Sequence, residues 1–275
     1  MRRTRVMLAL ASALLVAVGV ACTSRQTPGP TPSSSGQTTQ TPTPTLPPVG
    51  VDCRDLATQG LTLRLRNGAG LEIAAVDLGS GPMGVVLAHQ SDANMCQWLP
   101  YATLLAQQGY RVVAFDFAGF GASTPTRNKT YPDDIRTVVD YLRVHGAERV
   151  VVIGASMGAT MSVVAAAAIV PPIAGVVAVS APKVFDSIDA ERAAPHLRTP
   201  ALYIAGNADG DYQVYATELD EATPESLRDL LVVDAPEHGV DLVGAQTPQG
   251  DQVRSAISDF LQEHLNPPAT PSATR

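Results

Sequence analysis

Acidic side chains are missing from both ends of this 275-residue chain. Residues 1–50 and 267–275 contain no Asp or Glu, yet hold five of the 19 basic residues: Arg2, Arg3, Arg5, Arg25 and Arg275. All 26 acids therefore fall in residues 51–266, where 14 Lys and Arg leave a net charge of −12, against −7 for the whole chain. The basic face that neutralises phosphates is lacking, which argues against a nucleic-acid partner. Metal-ligand spacings are lacking as well. There is no Cys-x-x-Cys and no His-Glu-x-x-His, so neither metal nor cofactor is expected. The uncharged run Val6–Val20 falls short of the ~20 apolar residues of a membrane span, and no internal repeat is present.

What the ends do contain points to export. Arg2, Arg3 and Arg5 precede the apolar run, and Gly19-Val20-Ala21 forms a small-x-small cleavage pattern, so residues 1–21 are expected to be a signal peptide. Cys22 follows directly, and the stretch resembles a bacterial lipobox, whose cysteine is lipidated; Gly19 stands where that pattern usually has a large aliphatic residue. Residues 22–50 are rich in Thr, Pro and Ser, a composition that cannot bury enough surface to offset chain entropy. They are expected to be a solvated tether, and residues 267–275 a short disordered tail. Ten of the 22 prolines lie in these two ends. If Cys22 carries lipid, Cys53 and Cys96 remain as a pair in an oxidising compartment, either disulfide-bonded or as two free thiols.

Residues 51–266 read as one domain. Leu61–Arg66 and Leu71–Asp77 suggest a hairpin around Asn67-Gly68. The later β-rich runs are mostly continuously apolar: Val85–Ala88, Arg111–Phe115, Val150–Ile153, Val176–Val179, Ala201–Ala205 and Leu230–Asp234. A parallel sheet covered on both faces requires that pattern. Helical periodicity falls on Trp98–Gln107, Pro132–Val144, Met157–Ile169 and Val253–Leu265. The fold expected is a doubly wound, mostly parallel eight-stranded α/β sheet.

Chemistry concentrates at strand ends. Gly154-Ala155-Ser156-Met157-Gly158 lies between a strand and a helix, where a serine on a sharp turn exposes its hydroxyl beside free helix N–H groups. Here the chain resembles the α/β-hydrolase superfamily, over nearly the whole domain. The resemblance implies an acid after a late strand, which Asp209 of Gly206-Asn207-Ala208-Asp209 supplies, with Asp211 as its neighbour and competitor. It implies a histidine after the last strand, matched by His238 in His238-Gly239-Val240-Asp241-Leu242. The order Ser156, Asp209, His238 is the family's order of nucleophile, acid and base. Two backbone N–H groups would then hold an oxyanion, one from Met157 and one from the loop after His89, where Gln90 replaces the usual Gly and either Gln90 or Ser91 presents the donor. His89 is expected to be structural. Asp116-Phe117-Ala118-Gly119-Phe120-Gly121-Ala122-Ser123 is similar to the family's loop after the fourth strand, with Ala118 in place of Arg.

The resemblance thus implies a serine hydrolase of carboxylic esters acting through an acyl-enzyme. The stretch Ser180–Pro200 is too short for a large cap. Size and missing cap are those of dienelactone-hydrolase-like members, which carry Cys where this chain has Ser156. An amidase or peptidase, or a thioesterase, would use the same triad; a non-catalytic tethered binding lipoprotein is the alternative of another class. The expected protein is an exported monomer held at the cell envelope by lipid on Cys22 and acting on a small acyl ester.

Overall fold

The computed structural model describes residues 45–266. The expected signal peptide, Cys22, most of the expected tether and the expected C-terminal tail lie outside the described residues. The packed unit begins slightly before the expected boundary at Val51: Val49 packs against the core, Gly50 is buried, and Arg64 donates to the Pro47 carbonyl.

Among the described residues ten strands follow in order: β1 (Leu61–Arg66), β2 (Glu72–Leu78), β3 (Met83–Ala88), β4 (Arg111–Phe115), β5 (Arg149–Ala155), β6 (Gly175–Val179), β7 (Val184–Phe185), β8 (Ile188–Asp189), β9 (Ala201–Gly206) and β10 (Arg228–Val233). Eight of them form one sheet in the order β1-β2-β4-β3-β5-β6-β9-β10. Pairings of β1 with β2 and of β2 with β4 are antiparallel, and every later pairing is parallel. β7 and β8 make a separate small hairpin.

The helices are α1 (Arg54–Ala57), α2 (Leu99–Gln107), α3 (Tyr131–Val144), α4 (Met157–Ala168), α5 (Ala190–Ala193), α6 (Tyr212–Ala222), α7 (Val240–Gly244) and α8 (Pro248–Leu265). They cover both faces of the sheet. One face buries Val86, Val113, Val152 and Tyr203 with α3, α4 and α6; the other buries Val85, Val151, Val177 and Ile204 with α2 and α8. Alternate residues of a strand point to opposite faces, so continuously apolar strands are what two covers require. Between β6 and β9 stand only the β7–β8 hairpin and short helical turns, so there is no large cap.

The first hairpin differs from the expected two-residue Asn-Gly turn. Asn67 N–H donates to the Leu71 carbonyl, and the Asn67 side-chain oxygen accepts from the N–H groups of Ala69 and Leu71 at 3.0 and 2.9 Å. Positive φ falls on Gly70, at +80°, not on Gly68. The Asn67 amide is directed inward, 2.7 Å from Asp134 Oδ1 on α3, and this long-range bond sets the wider turn.

Candidate active site

β5 ends at Ala155 and α4 begins at Met157, so Ser156 must reverse the chain in one residue. It does so at φ +49° and ψ −119°, a conformation that costs a non-glycine residue about 1–3 kcal/mol. The flanking glycines are required by space. A Cβ on Gly154 would lie 2.3 Å from the Gly158 carbonyl oxygen, and one on Gly158 would lie 2.3 Å from the Ala88 carbonyl oxygen and 2.6 Å from that of His89. The same contact seats the end of β3 against the start of α4, so the loop after His89 lies beside Met157.

His89 is fully buried. Its Nε2 accepts the Phe117 N–H at 3.1 Å, which makes Nδ1 the protonated nitrogen, and Nδ1 donates to the Gln90 carbonyl at 2.7 Å. Burial lowers its pKa to about 4. His89 is therefore an architectural group that ties β3 to the loop after β4. Asp116, in that loop, accepts from the N–H groups of Met95 and Ala122 at 2.7 and 2.8 Å; burial pushes its carboxyl up to about 6.

The two residues after His89 separate clearly. Gln90 N–H donates to Gln97 Oε1 at 3.0 Å and is thereby occupied. Ser91 N–H donates to no other described residue, nor does Met157 N–H at the start of α4. The Gln90 side chain crosses to the far side of the site, where its Oε1 accepts the Val240 N–H at 3.1 Å. Gly239, at φ +57°, leaves it room: a Cβ there would lie 2.3 Å from Gln90 Oε1.

Asp209 and His238 come from the loops after β9 and β10. His238 Nδ1 lies 2.9 Å from Asp209 Oδ2 and 3.1 Å from Oδ1. Asp209 is buried and His238 half-buried, so the carboxylate is shielded while the imidazole keeps one edge toward solvent. Asp211, the neighbouring acid, is exposed and stands at the start of α6. No well-formed hydrogen bond joins Ser156 to His238 among the described residues; such contacts commonly tighten only when substrate is bound.

Two residues of this cluster carry no sequence signature. Ser180, at the end of β6, donates from Oγ to Asp209 Oδ2 at 2.8 Å and accepts the Gly239 N–H at 3.0 Å. It thus fastens the acid loop to the histidine loop at the strand end where Ser180-Ala181-Pro182 lacks a carboxylate. Tyr212 opens α6, and its ring centroid lies 4.4 Å from that of His238. An open groove of about 440 Å³ runs beside the histidine loop, bordered by Gln97, Tyr101, Glu237, Val240 and Gln246. Among the described residues no group of three or more His, Cys, Asp or Glu could hold a metal ion.

Residues 85–210, from β3 through Asp209, match the family model described as the alpha/beta hydrolase fold. The sheet order and its mostly parallel pairing agree with that fold. The chain has the alpha/beta hydrolase fold. Over 102 residues it is 32% identical to a putative non-heme chloroperoxidase of a Synechocystis species, an alignment covering 36% of each chain. The chain thus spans little more than a third of that relative. Among solved structures, an esterase of Pyrococcus furiosus superposes with a TM-score of 0.66 at 19% identity, covering 77% of this chain and 94% of the other. An enol-lactonase of Burkholderia xenovorans superposes with a TM-score of 0.61 at 18% identity, covering 73% of this chain and all of the other.

Proposed function

We propose that this alpha/beta hydrolase fold carries a serine hydrolase that cleaves carboxylic esters. The observation that carries the reading is the convergence of three strand ends: a strained, helix-capping Ser156, and a half-buried His238 bonded to the buried carboxylate of Asp209. Ser156 Oγ attacks the acyl carbonyl as its proton passes to His238 Nε2. Asp209, holding Nδ1–H, fixes the imidazole tautomer and stabilises the imidazolium. The negative charge on the carbonyl oxygen is met by the N–H groups of Met157 and Ser91, both without another described partner. His238 then protonates the leaving alcohol, and water releases the acyl group by the reverse path. No cofactor enters these steps.

The absence of a large cap favours small or protruding acyl groups. The triad serves ester and amide leaving groups alike, so the choice between them falls to the walls of the site. A fluorophosphonate probe tests the nucleophile: it should label the wild type at Ser156 and leave Ser156→Ala unlabelled, with activity on p-nitrophenyl esters falling about 10⁴-fold or more. Equal labelling of the two proteins would overturn the reading. Faster turnover of p-nitroanilides than of the matching esters would assign an amidase instead.

The same proposal places the protein at the cell envelope through lipid on Cys22. Fractionation of Cys22→Ala should move it from the membrane to the soluble fraction; retention in membranes would exclude that anchor.

A further inference from the structure

Two side chains from other strand ends hold the loop that carries His238. Helix α7 starts at Val240, and Gly239 before it has no side chain with which to cap the free N–H groups of the first turn. Gln90, 150 positions away in sequence, takes that part: its Oε1 accepts the Val240 N–H at 3.1 Å. Ser180 Oγ accepts the Gly239 N–H at 3.0 Å. The His238 carbonyl in turn accepts the Asp241 N–H at 3.1 Å, so whatever fixes this turn fixes the main chain of the histidine. Gln90 is itself a firm support. Its carbonyl accepts from His89 Nδ1 at 2.7 Å and its N–H donates to Gln97 Oε1 at 3.0 Å, which anchors the backbone on both sides of the side chain. The fit around its amide is close. A Cβ on Gly239 would lie 2.3 Å from Gln90 Oε1 and 3.4 Å from Cβ of Ala155, the residue before Ser156.

We propose that Gln90 is a positioning residue for the hydrolysis: its Oε1 sets the place of the His238 main chain, and with it the line along which Nε2 reaches Ser156 Oγ. The inference rests on Ser156, His238 and Asp209 acting as proposed above. Asp209 holds the imidazole by Nδ1 alone, at 2.9 and 3.1 Å. A ring tied at one edge still travels with its own backbone. Proton transfer needs Nε2 within hydrogen-bond reach of Oγ, and a misplacement of about 1 Å costs up to about a hundredfold in rate. Gln90 also precedes Ser91, so one residue sets both the base and the peptide that presents the Ser91 N–H. Base and oxyanion donor are thereby placed relative to each other. Gln90 acts through His238 and not on substrate, so its loss falls on kcat and spares KM.

Three variants test this on p-nitrophenyl butyrate, with active sites counted by fluorophosphonate titration. Gln90→Met keeps the length of the side chain and removes the acceptor. Gln90→Asn keeps the amide but draws it back by one carbon, and carries the test if Gln90→Met does not fold. Gln90→Glu keeps an acceptor oxygen at the same reach. The expected result is a kcat per titrated site lower by about tenfold to a hundredfold in Gln90→Met and Gln90→Asn, with KM within about twofold of wild type. Gln90→Glu should restore most of that loss. Wild-type kcat per titrated site in Gln90→Met or Gln90→Asn would overturn the inference, because any loss of total activity would then be a loss of folded protein. A loss carried by KM, or one that Gln90→Glu does not recover, would overturn it as well. The titration keeps the two ideas apart: wild type that takes no label removes the nucleophile, whereas labelled variants with unchanged kcat remove the role of Gln90 alone.

Discussion

His89 and His238 share a side chain and differ in every surrounding. His238 keeps an edge toward solvent and leans on a carboxylate, while His89 has both ring nitrogens committed to backbone and no exposed surface. With a folded pKa near 4 against an ordinary 6.5, His89 is neutral when folded and must gain a proton on unfolding in mild acid. Its contribution to stability is complete above pH 6.5 and drains away as pH falls toward 4. Its ¹⁵N shifts should therefore show a fixed Nδ1–H tautomer at pH 5.5; a titration midpoint near 6.5 would contradict the arrangement. Ser180→Ala should leave the Gly239 N–H buried without its partner and Asp209 with one donor fewer, at a cost of about 1–3 kcal/mol in folding stability. On esters it should lower kcat and leave KM nearly unchanged, and Ser180→Thr should recover part of the loss. Ser156, Asp209 and His238 could be proposed from the sequence because they lie one, three and five residues beyond the ends of β5, β9 and β10. Ser180 and Tyr212 could not, since their contacts join residues 29 and 26 positions apart and leave no local pattern.

At the level of elements, the strands and the longer helices were readable from periodicity, with ends displaced by a few residues. Helix α6 was not, because only Ala216 and Leu219 of its 11 residues are buried, too few for an apolar stripe. α8 starts at Pro248 rather than Val253, its first turn set by Thr247, whose hydroxyl accepts the Gly250 N–H at 3.1 Å. The elbow between β5 and α4 is the most tightly specified element. Gly158→Ala should destabilise the fold by about 3 kcal/mol, since the Ala88 and His89 carbonyls that obstruct the new methyl belong to a central strand and its extension. A shift in urea midpoint with unchanged slope would report it. Gly146→Ala, where a Cβ meets nothing within 4 Å, serves as the comparison at positive φ without crowding.

Across the whole molecule, the described residues 45–266 include the whole acid-bearing stretch, and Val49 and Gly50 just before Val51 pack with it. Cys53 and Cys96 are joined, with Cα atoms 5.6 Å apart and 43 residues of sequence separation. Removing the crosslink, as Cys53→Ser with Cys96→Ser, should lower unfolding free energy by about 4 kcal/mol on chain-entropy grounds. Denaturant titration against wild type measures it. The bonded turn also carries Gln97, which holds the Gln90 N–H, so the double variant should lose esterase activity before it loses its fold.

The same crosslink decides how the domain meets a mechanical load. Strands β1, β2 and β3 all lie between Cys53 and Cys96, and β1 is an edge strand held by one neighbour. Tension entering from the N-terminal side reaches Cys53 and passes through sulfur to Cys96, bypassing the three strands inside the loop. An edge strand that could otherwise be peeled one hydrogen bond at a time is thus taken out of the force path while the crosslink is intact. Intact, the crosslink makes the N-terminus a point from which the domain can be held without being unzipped.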